Sequence, residues 1–484
     1  MGFDLLERPW LPVLDSCDGP ARLSLREAFA RAHEVRLAGR PEETAALMRP
    51  LLAVWASAAR PAGTDGWDAA WHAPTLDTGR VTAYLDAHAG RFDLLSPVQP
   101  FWQSPAVTEP TRDAAALDCA SWGSGASQFA PHLLLAPRPW DPADAAVGLV
   151  VLQAWHPGGI RTGHPDDPAT RGGKVYGSKP GPLSVMTHLR IPGSCLKDEL
   201  LLNCPPGARL AGDAPVWERD PAPAPMRQRE PAGPLDWWTW PTRRLRLLPG
   251  DGGRITAVAV HDGDRPGSPD EAAAQWDPAA AVNARGTRLA ITDAARHLLP
   301  WAPAALLDDG AGGCAVLDHA TAAAERGTLP ADLPLRAEVL RAGHTTSHRA
   351  ALSGIVHLTA PLGPARTLAD PEARAALAAA ARRPWELQRE INHAAAEALN
   401  LAPKAVQSRA SLSLAAHLAW AWEEFAADPA AGSDAWHQAL RAAVRRTAGP
   451  GSSGRAALAA ARIHTAALVA LTTPAPVPQE DVSA

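Results

Sequence analysis

The stretch from Gln153 to Arg190, QAWHPGGIRTGHPDDPATRGGKVYGSKPGPLSVMTHLR, most constrains how this chain can fold. Its glycines and prolines are too frequent for a helix or a central strand, because proline removes a backbone donor and glycine costs conformational entropy. Irregular segments of this length are uncommon in compact domains, where they are usually functional or disordered. We therefore expect a long loop, either functional or a mobile surface loop whose charges are solvated.

Basic side chains in this loop favour a phosphate-bearing partner. Lys174 and Lys179 are two of only four lysines in the chain, and Arg161 follows the glycine pair Gly158 and Gly159. Glycine lets backbone come close to a ligand, and exposed amides beside basic side chains suit phosphate. These five residues are candidate nucleic-acid contacts.

Composition excludes several classes of protein. The 484 residues are 46% hydrophobic, and their net charge of −5 argues against non-specific coating of nucleic acid. The start, MGFDLLERPW, lacks the pattern of a signal peptide, and no apolar stretch is long enough to span a bilayer. Five scattered cysteines form no CxxC pair, so neither a disulfide framework nor a zinc knuckle is indicated. We expect a cytoplasmic protein without membrane contact.

Local signals predict where helices begin. Ser24 and Glu27 have the spacing of a capping box. Asp141 followed by Pro142 is typical of an N-cap with proline at the first helical position, which predicts a helix over about Ala143–Trp155.

A tryptophan and arginine cluster follows a proline-rich connector. It consists of Trp237, Trp238, Trp240, Arg243, Arg244 and Arg246. Such a cluster could stack on and clamp a nucleic-acid strand. We favour the alternative, in which buried tryptophans stand beside solvated arginines.

The pattern becomes alanine-rich and helical after residue 370. We predict four helices, at about 371–399, 410–427, 433–448 and 452–471. Their short connections favour antiparallel neighbours and a four-helix bundle. The predicted fold class is α+β: a large irregular mixed N-terminal domain (1–365), a C-terminal four-helix bundle (366–475) and a disordered tail (476–484).

Residue types that bind metals do occur in the loop, namely His156, His164, Asp166 and Asp167. Their spacing matches no metal motif, and RGGK at Arg171–Lys174 lacks the remainder of a phosphate-binding loop. No nucleophile elbow, HExxH motif or kinase set is present. We predict no catalytic site, metal or cofactor, and keep a metal-dependent nucleic-acid hydrolase as the less favoured alternative.

A series of segments along nearly the whole chain has a specific order and spacing. They are FDLLERPWLPV, RFDLLSPVQPFWQSP, DPADAAVGLVVLQAWHPGGI, GPLS, LKDELLLN, PVWERD, LDWWTWPTRRLRL and QWDP. In these segments the chain resembles the large subunit, often called CasA, of the type I-E CRISPR surveillance complex Cascade.

The resemblance implies a subunit without catalysis. Such a subunit reads the protospacer-adjacent motif (PAM) from the minor groove of double-stranded DNA, starts strand separation and helps recruit the helicase-nuclease. The implied partners are the other Cascade subunits, the guide RNA, double-stranded target DNA and the helicase-nuclease. Protein would then read the motif while base pairing reads the sequence, and the degenerate code of the minor groove predicts relaxed recognition.

The resemblance also assigns roles to particular positions. The family's glycine loop falls on Gly158 and Gly159, and its wedge hairpin falls on 344–349, with His348 in place of the usual glutamine and Arg349 beside it. The loop that docks onto the complex maps to 133–142, with Leu133, Leu134, Leu135, Arg138 and Trp140 as its candidate residues.

Two departures from the family pattern leave an alternative open. No lysine lies between Lys197 and Lys404, so Arg254 or Arg265 would have to replace the family's minor-groove lysine. The alternative is a diverged scaffold subunit that no longer reads the motif. Five bundle arginines could touch the DNA backbone or form a solvated face: Arg441, Arg445, Arg446, Arg455 and Arg462.

Overall fold

A computed structural model describes residues 2–122, 138–283, 285–286, 302–307, 312–344, 351–384 and 418–448, the last range with side chains up to residue 443. The described α-helices are α1 Leu25–Ala30, α2 Pro41–Ala58, α3 Thr64–His72, α4 Thr78–Ala87, α5 Pro142–Trp155, α6 Leu196–Asn203, α7 Pro234–Trp238, α8 Pro269–Trp276, α9 Ala315–Glu325, α10 Ala365–Ala369, α11 371–384, α12 418–427 and α13 Pro429–Ala448.

The described strands are scattered among these helices, and most of them have eight residues or fewer. They are β1 Leu11–Leu14, β2 Pro20–Leu23, β3 Arg36–Leu37, β4 Arg112–Asp113, β5 Gly159–Thr162, β6 Lys174–Ser178, β7 Thr187–Arg190, β8 Arg243–Pro249, β9 Ile255–Asp262, β10 Val282–Asn283, β11 Gly312–Gly313, β12 Pro334–His344 and β13 Leu352–Pro364. Three sheets have three strands, in the orders β2-β1-β3, β4-β9-β8 and β13-β12-β7, while β5-β6 and β10-β11 form pairs. The mixed α+β class predicted from the sequence is confirmed.

Two helix starts follow the local signals. The Ser24 hydroxyl accepts from the Glu27 amide at 3.2 Å, and the Glu27 carboxylate accepts from the Ser24 amide at 2.8 Å, which completes the capping box. The Asp141 side chain accepts from the Ala143 amide at 2.9 Å, with Pro142 at the first position of α5. Both predictions are confirmed.

Helices α2 and α5 lie in the core, and most of their residues are buried. Burial of Arg49 within α2 requires partners for its charge. Its guanidinium donates to Asp277 at 2.7 Å and to the Trp237 and Trp238 carbonyl oxygens at 2.8 and 3.2 Å. Burial nevertheless lowers the pKa of Arg49, while Asp277 opposes that shift.

The prediction of a long irregular loop at Gln153–Arg190 is wrong. The stretch contains the end of α5, both strands of the β5–β6 pair and strand β7. Gly172 and Gly173 adopt φ angles of 56° and 73°, which only glycine tolerates readily, so they form a tight turn before β6. Here a high glycine and proline content marks turns between short strands rather than loss of structure.

The expectation that the arginines after the tryptophans are solvated is also wrong for the first two of them, Arg243 and Arg244. Arg243 and Arg244 are buried on β8, and Arg244 forms an ion pair with Asp264 that is completely buried on both sides. The partner carboxylates come from β9 and the residues just after it, because β8 and β9 are antiparallel and Arg243 lies opposite Asp262. The tryptophans themselves are buried, as predicted.

The described residues divide into two compact units. The first lies within 1–290, 312–323 and 338–357, and the second within 291–311, 324–337 and 358–484. In the second unit, α12 and α13 share an aromatic cluster in which Trp422 and Trp436 have ring centroids 5.4 Å apart. The boundary predicted at residue 365 and the four-helix count stay predictions.

The predicted C-terminal helices are described in part. Helix α13 begins four residues earlier than predicted, and α11 and α12 cover parts of two other predicted helices. The fourth predicted helix, 452–471, and the tail at 476–484 lie outside the described residues. Within the part of the chain that is described, no helix is both long and apolar enough to cross a membrane.

Candidate nucleic-acid interface

The five loop candidates lie on or beside one β-hairpin, formed by β5, residues 163–173 and β6, which we call the glycine hairpin. Its register places Gly159 opposite Ser178 and Thr162 opposite Lys174, with a bulge between Gly159 and Arg161. Gly159 adopts a φ of 95°, so a residue with a side chain would be strained there.

Gly158 is buried at the base of the glycine hairpin. A Cβ atom there would lie 2.6 Å from the Ser178 carbonyl oxygen and 3.0 Å from Pro180 Cδ. Packing between the two strands therefore requires glycine at this position, whether or not DNA approaches. Contact of Gly158 and Gly159 with a DNA groove stays a prediction.

The outer face of the glycine hairpin exposes large apolar side chains. Tyr176 is 57% exposed and Ile160 is 52% exposed, on facing strands. Lys174 is also exposed, and in the described part of the chain no hydrogen bond or ion pair holds its ammonium. An aromatic ring, an aliphatic side chain and a cation on a narrow two-stranded element suit contact with nucleic acid.

The other two basic candidates are used within the protein. Arg161 donates from Nε and Nη2 to the Pro157 carbonyl oxygen at 3.0 and 2.7 Å. Lys179 donates from Nζ to the Gly267 carbonyl oxygen at 3.3 Å. Burial, followed by repulsion from Arg112, lowers the pKa of Arg161 to about 10, while Asp262 opposes the shift. Of the three basic candidates, Lys174 is thus the one most available to a ligand.

Arg243 fixes the base of the glycine hairpin. Its guanidinium donates to the carbonyl oxygens of Pro157 at 2.6 Å and Lys179 at 3.1 Å, and from Nε to His156 Nδ1 at 3.0 Å. Asp262 Oδ1 lies 3.6 Å from Arg243 Nη1, and the same oxygen accepts a hydrogen bond from Ser178 Oγ at 2.5 Å. Burial is the main reason that the pKa of Arg243 falls to about 9.

The predicted docking loop is described only at its end. Leu133, Leu134 and Leu135 lie outside the described residues. Trp140 exchanges two backbone hydrogen bonds with Ile255, at 2.8 and 2.9 Å, which joins the end of the loop to β9. Arg138 is exposed, and Arg254 donates to the adjacent Pro139 carbonyl oxygen at 2.8 Å. Docking itself stays a prediction.

The proposed wedge lies between two strands, as a hairpin requires. Strand β12 ends at His344 and its neighbour β13 begins at Leu352, while His348 and Arg349 lie outside the described residues, so the wedge stays a prediction. The His344 ring donates from Nε2 to the Ser184 carbonyl oxygen at 2.9 Å, so the hairpin is fixed just before its tip.

Arginines suggested as substitutes for the family's lysine have internal partners. Arg265 donates from Nε to Asp262 at 2.6 Å, and Arg254 contacts Pro139 as described above. In the bundle, Arg441 is exposed on α13, and the side chains of the other four candidates, Arg445, Arg446, Arg455 and Arg462, lie outside the description.

The residues of metal-binding type named in the sequence analysis have structural roles. The Asp167 carboxylate accepts from the amides of Ala169 at 2.8 Å and Met226 at 3.1 Å. His164 Nδ1 accepts from the Asp166 amide at 3.2 Å, and its ring stands edge-on to His261. Among the residues that the structure describes, no group of three or more His, Cys, Asp or Glu side chains could hold a metal ion.

The family model for CRISPR-associated protein Cse1 matches residues 4–448. The chain belongs to the Cse1 family. Cse1 from Thermobifida fusca has a similar fold, with a TM-score of 0.80 at 22% identity over 97% of this chain and 98% of that one. CasA (Cse1) from Thermus thermophilus gives 0.74 at 25% identity over 97% and 99%. No curated protein matches in sequence.

A chain of a CRISPR RNA-guided surveillance complex is also similar, with a TM-score of 0.73 at 20% identity over 96% of this chain and 99% of that one. Because the Thermus protein carries both names, the resemblance to CasA and membership of the Cse1 family describe the same relationship. The resemblance stated from the sequence is confirmed.

Sequence reasoning missed the exposed apolar residues of this Cse1 hairpin. Tyr176 stands among glycines and polar residues, in the segment KVYGSK, and Ile160 directly follows Gly158 and Gly159. A large apolar residue beside turn glycines could have been noticed, yet only the register of β5 and β6 shows that both side chains are exposed on the same hairpin.

Proposed function

We propose that this Cse1 chain is the non-catalytic subunit of an RNA-guided surveillance complex that reads the PAM in double-stranded target DNA. In this proposal it assembles with the other Cascade subunits and the guide RNA, promotes strand separation and helps recruit the helicase-nuclease. Its family membership supports the first part, since a chain of similar fold belongs to a CRISPR RNA-guided surveillance complex.

The glycine hairpin is the observation that carries the DNA-reading part of the proposal. Lys174 supplies a cation without an internal partner in the described residues, and Tyr176 and Ile160 supply exposed apolar surface beside it. A minor groove accepts narrow elements with small residues and apolar side chains, and its phosphates attract cations. Gly158 and Gly159 then keep the backbone of the hairpin thin, and Arg161 and Lys179 fix its base.

Strand separation is assigned to the β12–β13 hairpin, with His348 and Arg349 at its tip. The strands on either side give the tip a defined support. Histidine can stack and donate, so it can take the place of the family's glutamine.

The hydrolase alternative has no support from the described residues, because His164 and Asp167 stabilise their own loop. The scaffold alternative predicts that the glycine hairpin is dispensable for DNA binding. Arg265 and Arg254 both have internal contacts, so motif reading in our proposal depends on the hairpin face rather than on them.

The test uses the complex reconstituted with guide RNA, its partner subunits and either the native chain or the double variant Lys174→Gln, Tyr176→Ala. We expect the variant to bind a target duplex with the favoured flank about tenfold more weakly or worse. Leu210→Ala, which changes an apolar residue that is 45% exposed elsewhere, is the control and should bind normally. Native affinity in the double variant would favour the scaffold.

A further inference from the structure

A cavity of about 170 Å³ lies beside the base of the glycine hairpin, within the first unit. We call it the Arg112 cavity. Its lining comes from β4, the turns after it, the end of α5, β5 and β9, and includes Arg112, Trp122, His156 and Arg161. This volume exceeds the roughly 30 Å³ that a water molecule occupies in the liquid, so a polar group with its hydration water fits.

Positive charge dominates this cavity. Arg112 is exposed on β4, and the described part of the chain gives its guanidinium no ion pair and no hydrogen bond. Of the charged groups acting on Arg161, the repulsion from Arg112 exceeds the attraction from Asp262. Asp262 is already in contact with Ser178, Arg243 and Arg265. An anion between Arg112 and Arg161 would relieve their mutual repulsion.

His156 supplies a neutral donor in the wall of the cavity. Burial holds its pKa well below the ordinary value, and Arg243, Arg161 and Arg112 lower it further. Because Nδ1 accepts from Arg243 Nε at 3.0 Å, the neutral ring carries its proton on Nε2. Trp122 covers the ring, with centroids 5.1 Å apart, and donates its own N–H to the Ala116 carbonyl oxygen at 2.8 Å.

We propose that the Arg112 cavity binds one phosphate of a nucleic-acid backbone, with Arg112 as the principal ligand and the Arg161 charge and the His156 N–H in support. Guanidinium groups match phosphate geometry and form strong charge-assisted hydrogen bonds with it. Arg161 belongs both to this cavity and to β5, so a phosphate bound here would continue the contact of the glycine hairpin. This continuity between the two contacts rests on the proposed function.

The test measures binding of the purified full-length chain to three probes as salt rises from about 50 to 200 mM. The probes are a single-stranded RNA, a single-stranded DNA of the same base sequence and the corresponding DNA duplex. The variants are Arg112→Gln, Arg112→Lys and a control, Arg80→Gln, which removes an exposed arginine of α4 that does not line the cavity.

For Arg112→Gln we expect about tenfold weaker binding of at least one probe, and a logarithmic salt dependence that is shallower by about 0.7 for a single strand or 0.9 for the duplex. Arg112→Lys keeps the charge and should keep the native salt dependence, and Arg80→Gln should behave as the native chain. The probe that responds identifies RNA or DNA as the source of the phosphate. An unchanged affinity and salt dependence of Arg112→Gln with all three probes would overturn the proposal.

Failure of the phosphate site can be distinguished from failure of the proposed function. A complex that ignores the flanking bases, while Arg112→Gln still weakens binding, would remove motif reading and keep the phosphate site. A normal preference for one flank, with no effect of Arg112→Gln, would keep motif reading and remove the phosphate site.

Discussion

Arg243 on β8 donates from Nη2 to the carbonyl oxygen of Pro157 at 2.6 Å, which joins the end of α5 to the β4-β9-β8 sheet just before the glycine hairpin begins. The same guanidinium also contacts Lys179 and His156, on either side of the hairpin. One buried side chain thus holds both ends of the element that we assign to DNA contact.

Arg243→Lys should therefore destabilise the protein and loosen the hairpin. Lysine keeps the charge, yet it cannot reach three partners in the planar geometry of a guanidinium. We expect a loss of about 2–4 kcal/mol in the free energy of unfolding, measured by urea titration, together with weaker DNA binding by the complex. Arg246→Lys, on the same strand and only half-buried, is the control. Equal unfolding midpoints for the two variants would contradict the assigned role.

Substitutions at Gly158 can separate packing from charge. A Cβ atom alone meets the Ser178 carbonyl oxygen, so Gly158→Ala should already lower stability and DNA affinity. Gly158→Asp adds a negative charge, which should weaken target binding further if phosphate lies nearby. The measurement is the affinity of the assembled complex for a target duplex at low and high salt. The same affinity for both variants at low salt would show that Gly158 acts by packing alone.

Two histidines, His188 buried and His156 partly buried, should make stability depend on pH. Burial, followed by the charge of neighbouring arginines, lowers the pKa of His156 and His188 well below the ordinary value. Below about pH 6.5 the unfolded chain gains protons that the folded chain excludes, so stability is full above this pH and falls as pH decreases. Each histidine contributes up to about 1.4 kcal/mol per pH unit.

His156→Gln should therefore flatten the decline in unfolding free energy between about pH 6.5 and 5, as measured by urea titrations at several pH values. Glutamine can still accept from Arg243 through its amide oxygen, so the contact is preserved. His188→Gln tests the second histidine in the same way. A decline as steep as that of the native chain in both variants would show that neither ring stays neutral when folded.

His348→Ala should slow the opening of the target duplex more than it weakens initial binding. A wedge acts after the complex has bound, so its loss affects the opening rate. Opening can be followed by fluorescence of a base analogue near the motif, and binding by an independent titration. Losses of equal size in both measurements would argue against a wedge.

Some of this fold could be predicted because the signals are local. Ser24 with Glu27 and Asp141 with Pro142 specify helix starts through hydrogen bonds that span three residues or fewer, and both starts are observed.

Other features depend on partners that are distant in sequence. Arg243 and Arg244 looked solvated because nothing next to them in the chain shows that Asp262 and Asp264 pair with them, a result of the β8–β9 register. In the candidate site, Lys174 and Arg161 looked equivalent in sequence. Only the fold shows that Arg161 bonds to Pro157 while Lys174 stays exposed.

In our proposal, this chain reads the bases that flank a target. The most direct measurement compares binding of two duplexes, identical except for those bases, by the reconstituted complex with guide RNA and partner subunits, in the presence and absence of this chain. We predict a preference for one flank that vanishes when the chain is left out. Equal binding of both duplexes, with the chain stably incorporated, would contradict motif reading and leave a scaffold.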